Sequence, residues 1–181
     1  MEFDKKRIIE VLQREIAITR AIDQRPILAT TNVAMCTVFY GRDTKSKVGF
    51  LCHLDLPFTT NIIPSLLEKL RQHSGPNSTF ASTLCCGNRY SWARSPLMRE
   101  KIRSLSREWE KRYSVKIEFG TPEEPYTPIF RKRAFTFNTE NGVIGKYPQR
   151  TTNLALSSFI KMSPAKFVYE TALRPATDSV P

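Results

Sequence analysis

The chain has little of what a metal centre needs. It holds two histidines, His53 and His73, and no pair of ligand-type residues at zinc spacing. No metal and no other cofactor is expected. No apolar run approaches the ~18–20 residues of a membrane-spanning helix. The N-terminus, MEFDKKRIIEVLQREI, lacks an apolar h-region and a small-residue cleavage site. The expectation is a protein of a soluble compartment, cytoplasmic where made. The four cysteines, 36, 52, 85 and 86, include an adjacent pair and lie in apolar, strand-like segments. That excludes a secreted disulfide framework and fits reduced thiols. Acidic residues are also scarce, 17 against 28 basic ones, for a net charge of +11. Such an excess favours an acidic partner. RNA-binding aromatic motifs and helix-turn-helix signatures are missing, so an acidic protein surface ranks before nucleic acid.

What is present suits one globular domain, with 40% hydrophobic and 25% charged residues. The domain is predicted over 1–163, with 164–181 a mobile tail. Asp4 can cap a first helix whose apolar positions Ile8, Leu12 and Ile16 recur to about Arg20. The stretch 26-PILATTN-32 reads as a strand or entry segment. Next, 33-VAMCTVFYG-41 and 47-KVGFLCHLDL-56 read as two strands joined by the turn RDTKSK, apolar enough to need cover on both faces. A helix fits 61–75, with Pro64 in its first turn and Gly75 as its stop. A strand over 79–87, a helix opened by Ser95-Pro96, and a strand through Val115, Ile117 and Phe119 follow. The segment 120–130 is a Pro-rich loop, and 133–147 reads as a hairpin with Asn141-Gly142 in a type I′ or related turn. A short helix is predicted around Leu154–Ile160. The interleaved order with two hairpins implies a mixed α/β or α+β layered fold.

The stretch 30-TTNVAMCTVFYGRDTKSKVGFLCHLDLP-57 carries the chemistry, if there is any. A turn centred near residues 44–45 would bring Cys36 opposite residues 52–54. Cys36 and His53 would then be cross-strand neighbours, about 4.5–5.5 Å apart at Cβ. A thiol and an imidazole so placed form a nucleophile and its base. The plain alternative is a buried hairpin with inert thiols, since cysteines are among the most buried residues. His73 ends a helix and reads as a capping or solvated residue.

The spacing of Thr30, Cys36 and His53, with 53-HLDLP-57 following, resembles the chemoreceptor glutamine deamidases of bacterial chemotaxis (the CheD family). So do 83-TLCCGN-88 and 132-KRAFTFNTENGV-143, which stand where that family has a glycine-rich strand end and a closing hairpin. The resemblance spans about residues 26–147. The same Cys/His arrangement is known in the catalytic domains of cytotoxic necrotizing factors and in Burkholderia lethal factor, toxins that deamidate glutamine. It implies a β-sandwich of mixed sheets flanked by outer helices. It also implies a protein glutamine deamidase working through a thioester, with Cys36 as nucleophile, His53 as base and Thr30 as the third member. The Cys36 N–H and the Asn32 side chain would meet the oxyanion. The partner would be a protein substrate with a reactive glutamine. Two departures bear on activity: the family's glycine before the cysteine is replaced by Val33-Ala34-Met35, and its paired glycines by Cys85-Cys86. A binding protein that keeps the fold without turnover is the second reading, and a basic nucleic-acid-binding module the third.

Arg99, Arg103, Arg107 and Lys111 recur every four residues on the helix opened by Ser95-Pro96, away from Met98, Ile102, Leu105 and Trp109. As one exposed stripe they would bind an acidic partner. As a solvated helix face, diluted by Glu100, Glu108 and Glu110, they would do nothing specific.

Overall fold

Apolar runs without a polar face, such as 48-VGFLCHL-54, need cover on both sides. Two sheets and two helices supply it. The computed structural model describes residues 4–34, 36–87, 95–120, 133–148 and 163–172. The strands are β1 (Ile8–Glu10), β2 (Glu15–Arg20), β3 (Ile27–Val33), β4 (Thr37–Asp43), β5 (Val48–Leu54), β6 (Thr79–Cys86), β7 (Lys116–Phe119), β8 (Arg133–Asn138), β9 (Ile144–Lys146) and β10 (Lys166–Glu170). The helices are α1 (Ile63–Ser74) and α2 (Ser95–Tyr113). The small sheet has the order β1-β3-β8-β9 and the large one β10-β2-β5-β4-β6-β7. Both are mixed: β1/β3, β2/β10 and β6/β7 pair parallel, the rest antiparallel. This is the α+β layered fold that the element order implied, arranged as the sandwich that the resemblance implied.

The large sheet uses its two faces differently. Phe39, Phe50, Phe80 and Leu54 pack with Leu66, Leu67 and Leu70 of α1 and Ile102 of α2. Ala17, Val38 and Leu51 on the other face pack against Ile9, Leu28 and Phe137 of the small sheet. At one end the sheets approach closely, because Gly49 has no side chain where a Cβ would lie 2.3 Å from Thr139 Cγ2. That hairpin corner is fixed by Thr139, whose N–H and hydroxyl both donate to the Pro26 carbonyl.

Several predicted elements stand as read, among them α1 with Pro64 in its first turn and Gly75 at φ +85 as its cap. Others need correction. Asp4 caps only the 3-10 turn Lys5–Arg7, and the expected first helix is instead β1 and β2. Ile8, Leu12 and Ile16 stand four apart, and four is a multiple of the strand period of two as well as close to one helical turn. The β-branched run in 15-EIAITR-20, buried on both faces of a central strand, decides for β. From the expected tail, Lys166–Glu170 adds a parallel edge strand to β2. The Asn141-Gly142 turn is longer than a two-residue loop: Asn138 N–H donates to Val143 O, and Gly142 N–H to Asn138 O. Helix 154–160, the loop over 121–130 and residues Arg131 and Lys132 lie outside the described residues.

The chain passes from the small to the large sheet twice at one end. Because β1 and β3 run parallel, their C-terminal ends lie side by side. One crossing leaves β1 through Val11 and reaches β2 after Arg14. The other leaves β3 and reaches β4 after Cys36. Each uses a non-glycine residue with left-handed backbone, Arg14 at φ 62 and Asn32 at φ 58. In β3 the register jumps from Thr30↔Phe135 to Val33↔Arg133, a bulge that turns the strand toward the second sheet.

Candidate active site

The two crossings bring together the residues singled out in the sequence. Thr30 points from β3 into the space between the sheets, and His53 points into it from β5. Thr30 Oγ1 lies 2.9 Å from His53 Nδ1 and donates to the Val11 carbonyl at 2.8 Å. The hydroxyl has one proton, and Val11 O takes it. Thr30 must therefore accept from His53, which puts the imidazole proton on Nδ1. The other nitrogen, Nε2, is buried and has no hydrogen-bond partner among the described residues. His53 is 1% exposed. Burial lowers its pKa to about 4, against weaker opposing effects of the Asp55 carboxylate and the Val11 carbonyl. The ring is neutral at pH 7, with a lone pair available on Nε2.

Cys36, the residue before β4, reaches the same space, though not directly opposite His53 as expected. The connection Thr44–Lys47 carries Lys47 at φ 58, with Lys47 N–H on Asp43 O. The resulting register pairs Val38 with His53. Cys36, two residues earlier, shares that face and stands on the diagonal, about 7–8 Å away by the usual geometry of such neighbours. It packs against the inter-sheet cluster and is half-buried. Cys52 faces the helices instead and is fully buried, and burial pushes its thiol pKa up. Cys85 is buried between the sheets. Of these three thiols only Cys36 combines access to solvent with a place on the histidine's face.

Asn32 stands at the bulge, where its left-handed backbone is itself a reason for asparagine. Among the described residues of this crossing no other has a positive φ, so Asn32 makes the tight turn that a glycine nearer the cysteine would otherwise allow.

Sequence reasoning missed the group beside the pair. Arg14 and Asp55 form a buried ion pair, Nη2 to Oδ2 at 2.8 Å, with Nε at 3.0 and 2.9 Å from the two carboxylate oxygens. Gln13 Nε2 adds a bond to Asp55 Oδ2 at 2.7 Å. Arg14 N–H donates to the His53 carbonyl at 2.7 Å. The one signal in the sequence was an acidic residue two positions after the histidine.

The basic stripe is not one face. Arg99 is 1% exposed, whereas Arg107 and Lys111 are exposed and Arg103 lies over the Phe119 ring at 5.7 Å. Steps of four residues turn a helix by 400°, so four such residues spread over about a third of its circumference. Arg107 is paired with Glu100 at 3.2 Å. A cleft of about 420 Å³, lined by Tyr40, Arg42, Thr83, Glu118, Phe119 and Phe137 among others, contains none of Thr30, Cys36 or His53. No described helix is long and apolar enough to cross a membrane. Among the described residues no cluster of His, Cys, Asp and Glu could hold a metal ion.

Comparison with known proteins gives one family match. A family model described as protein N-terminal asparagine amidohydrolase matches residues 1–90. That stretch contains both crossings, Thr30, Cys36 and His53, and it aligns the chain with deamidase-like enzymes. The match does not extend to chemoreceptor glutamine deamidases or to the toxins. No curated protein matches the chain. A family that hydrolyses a carboxamide supports a hydrolytic enzyme as the general class.

Proposed function

We propose that the protein hydrolyses a side-chain carboxamide of a polypeptide through Cys36, with His53 as base and Thr30 as its orienter. One observation carries the reading: a buried neutral histidine whose Nδ1 is held by Thr30 and whose Nε2, without a hydrogen-bond partner among the described residues, shares a face with a half-buried cysteine. His53 Nε2 takes the proton from Cys36 Sγ, and the thiolate attacks the carboxamide carbon. The tetrahedral oxyanion is met by the Cys36 N–H and the Asn32 side chain. Its collapse breaks the C–N bond. Ammonia leaves with the proton from the imidazolium, and an acyl thioester remains on Cys36. Water, deprotonated by His53, cleaves the thioester to a carboxylate and restores the thiol. The cysteine and histidine supply all the acid–base and nucleophilic chemistry in this sequence of steps.

The family match over residues 1–90 makes an N-terminal asparagine the first substrate to try. The Thr30, Cys36 and His53 spacing, which resembles the glutamine deamidases, makes an internal protein glutamine the second. The assay measures ammonia and the mass gain of about one dalton per conversion. It uses peptides beginning with asparagine, the same peptides acetylated, and glutamine-bearing acidic proteins. Turnover lost in Cys36→Ala supports the reading, and ammonia release that survives it rejects the thiol mechanism. No release from any carboxamide would leave a binding protein.

A further inference from the structure

The buried Arg14–Asp55 pair is an expensive feature for a fold to keep. Burying two charges costs several kcal/mol per ion before their attraction returns it, and an apolar pair of equal volume is often as stable. This one is buried next to the candidate site and joins three of its parts. Arg14 belongs to the crossing that also presents the Val11 carbonyl to Thr30. Its own N–H holds the His53 carbonyl, and its guanidinium grips Asp55, two residues beyond His53. The Arg14 backbone is left-handed at φ 62, a conformation that costs free energy in a non-glycine residue and persists where the surroundings enforce it.

We propose that Arg14 and Asp55 act as a positioning pair for the proton transfer between Cys36 and His53. Asp55 supplies the negative field that stabilises the imidazolium when Nε2 takes the thiol proton. Arg14 fixes that carboxylate and ties it to the backbone of His53. The proposal rests on the hydrolase reading above.

Among the described residues, the surroundings of His53 leave this role to Asp55. Glu15 stands directly opposite His53 on β2, but its carboxylate accepts from Leu12 N–H at 2.8 Å and lies 3.8 Å from Lys166 Nζ. Across the sheets, Thr30 and the Val11 carbonyl are uncharged, and on β4 the titratable neighbour is the Cys36 thiol itself. Asp55 also acts on His53 in the required direction, favouring its charged form.

The test follows the alkylation of Cys36 by iodoacetamide as a function of pH, in the full chain, with thermal unfolding recorded beside it. Four forms are compared: wild type, His53→Ala, Asp55→Asn, and the double variant Arg14→Gln/Asp55→Asn. The last leaves no lone buried charge and serves if Asp55→Asn does not fold. Without Asp55 the thiolate should form at higher pH, and the rate at pH 6 should fall about tenfold, the factor that one pKa unit represents. The double variant should shift in the same direction. If the Asp55 profiles coincide with wild type while His53→Ala shifts, the positioning role is overturned and the hydrolase reading stands. A change confined to the melting temperature overturns the positioning role in the same way. If His53→Ala also coincides with wild type, the reading of the site falls and this proposal with it.

Discussion

The two histidines of this chain are both buried, and the contrast between them shows what separates a candidate base from a structural tie. His73, on α1, has both ring nitrogens occupied: Nδ1 faces Arg20 Nη2 at 3.4 Å and Nε2 faces Glu170 at 3.0 Å. An arginine can only donate, so Nδ1 is the acceptor and Nε2–H goes to the carboxylate. The ring is a tie between α1, β2 and the edge strand β10. His53 has Nδ1 held by Thr30 and Nε2 with no hydrogen-bond partner among the described residues. Burial lowers both pKa values. Burial alone therefore does not mark a site. An imidazole kept neutral, aimed, and left with an open lone pair beside a thiol is a different object from one that is saturated.

The largest expected effect breaks this comparison outright. His53→Gln should reduce turnover about 10³–10⁴-fold, the usual cost of losing one member of such a catalytic set. His73→Gln should leave the rate within about twofold and instead loosen the β10 edge. Rates of ammonia release beside thermal melts separate the two, and equal rate losses would remove the distinction.

Thr30 comes next. Thr30→Val keeps the shape and removes the acceptor for Nδ1–H, which can then use only the Val11 carbonyl. Turnover should drop by about 10²–10³, within the range that orienting residues command. Thr30→Ser should recover most of it. A fully active Thr30→Val chain would mean that the hydroxyl has no part in aiming the ring.

The pH dependence of stability sharpens the comparison in a smaller way. His53 titrates near 6.5 when unfolded and about 4 when folded, so the unfolded chain binds more protons between those values. Stability is then full above pH 6.5 and declines as pH falls to 4, by about 3 kcal/mol from this residue. His73 adds a loss of the same sign. Denaturant unfolding at pH 7 and pH 4 should show His53→Asn losing about 3 kcal/mol less than wild type on acidification. An unchanged difference would mean that the ring is charged or solvated in the fold.

The smallest effect concerns the exposed remainder of the basic helix. With Arg99 buried and Arg103 half-buried, Arg107 and Lys111 are the two of the four stripe residues that stand clear of the fold, and surface charges act mainly on encounter. Reversing both to Glu should slow reaction with an acidic protein substrate by about twofold to fivefold and flatten its salt dependence. A short peptide should be handled unchanged.

Much of the layout is written locally. Pro64 and Gly75 bracket α1, Ser95-Pro96 opens α2, and the apolar runs at β4, β5 and β6 announce strands covered on both faces. Cys36 and His53 could be chosen as candidates from the expected hairpin, and Thr30 from the resemblance to the glutamine deamidases. The first twenty residues could not be read, because a four-residue apolar spacing fits helix and strand alike and the partner strands lie elsewhere in the sequence. Arg99 was misread for a related reason: helical spacing gives a direction around the axis, but what covers that direction is decided by packing.

Tertiary structure alone settled how those candidates meet. Thr30 and His53 lie on different sheets, and their bond exists because the sandwich closes across 23 residues of chain. Val38, not Cys36, faces His53 because the Thr44–Lys47 connection, with Lys47 in the left-handed region, sets the hairpin register. Arg14 and Asp55, 41 residues apart, found each other because two crossings between sheets were folded to the same end. A sequence specifies short-range geometry through backbone sterics and side-chain periodicity. Which groups share a buried space, and so which proton sits where, depends on long-range packing that leaves no periodic trace.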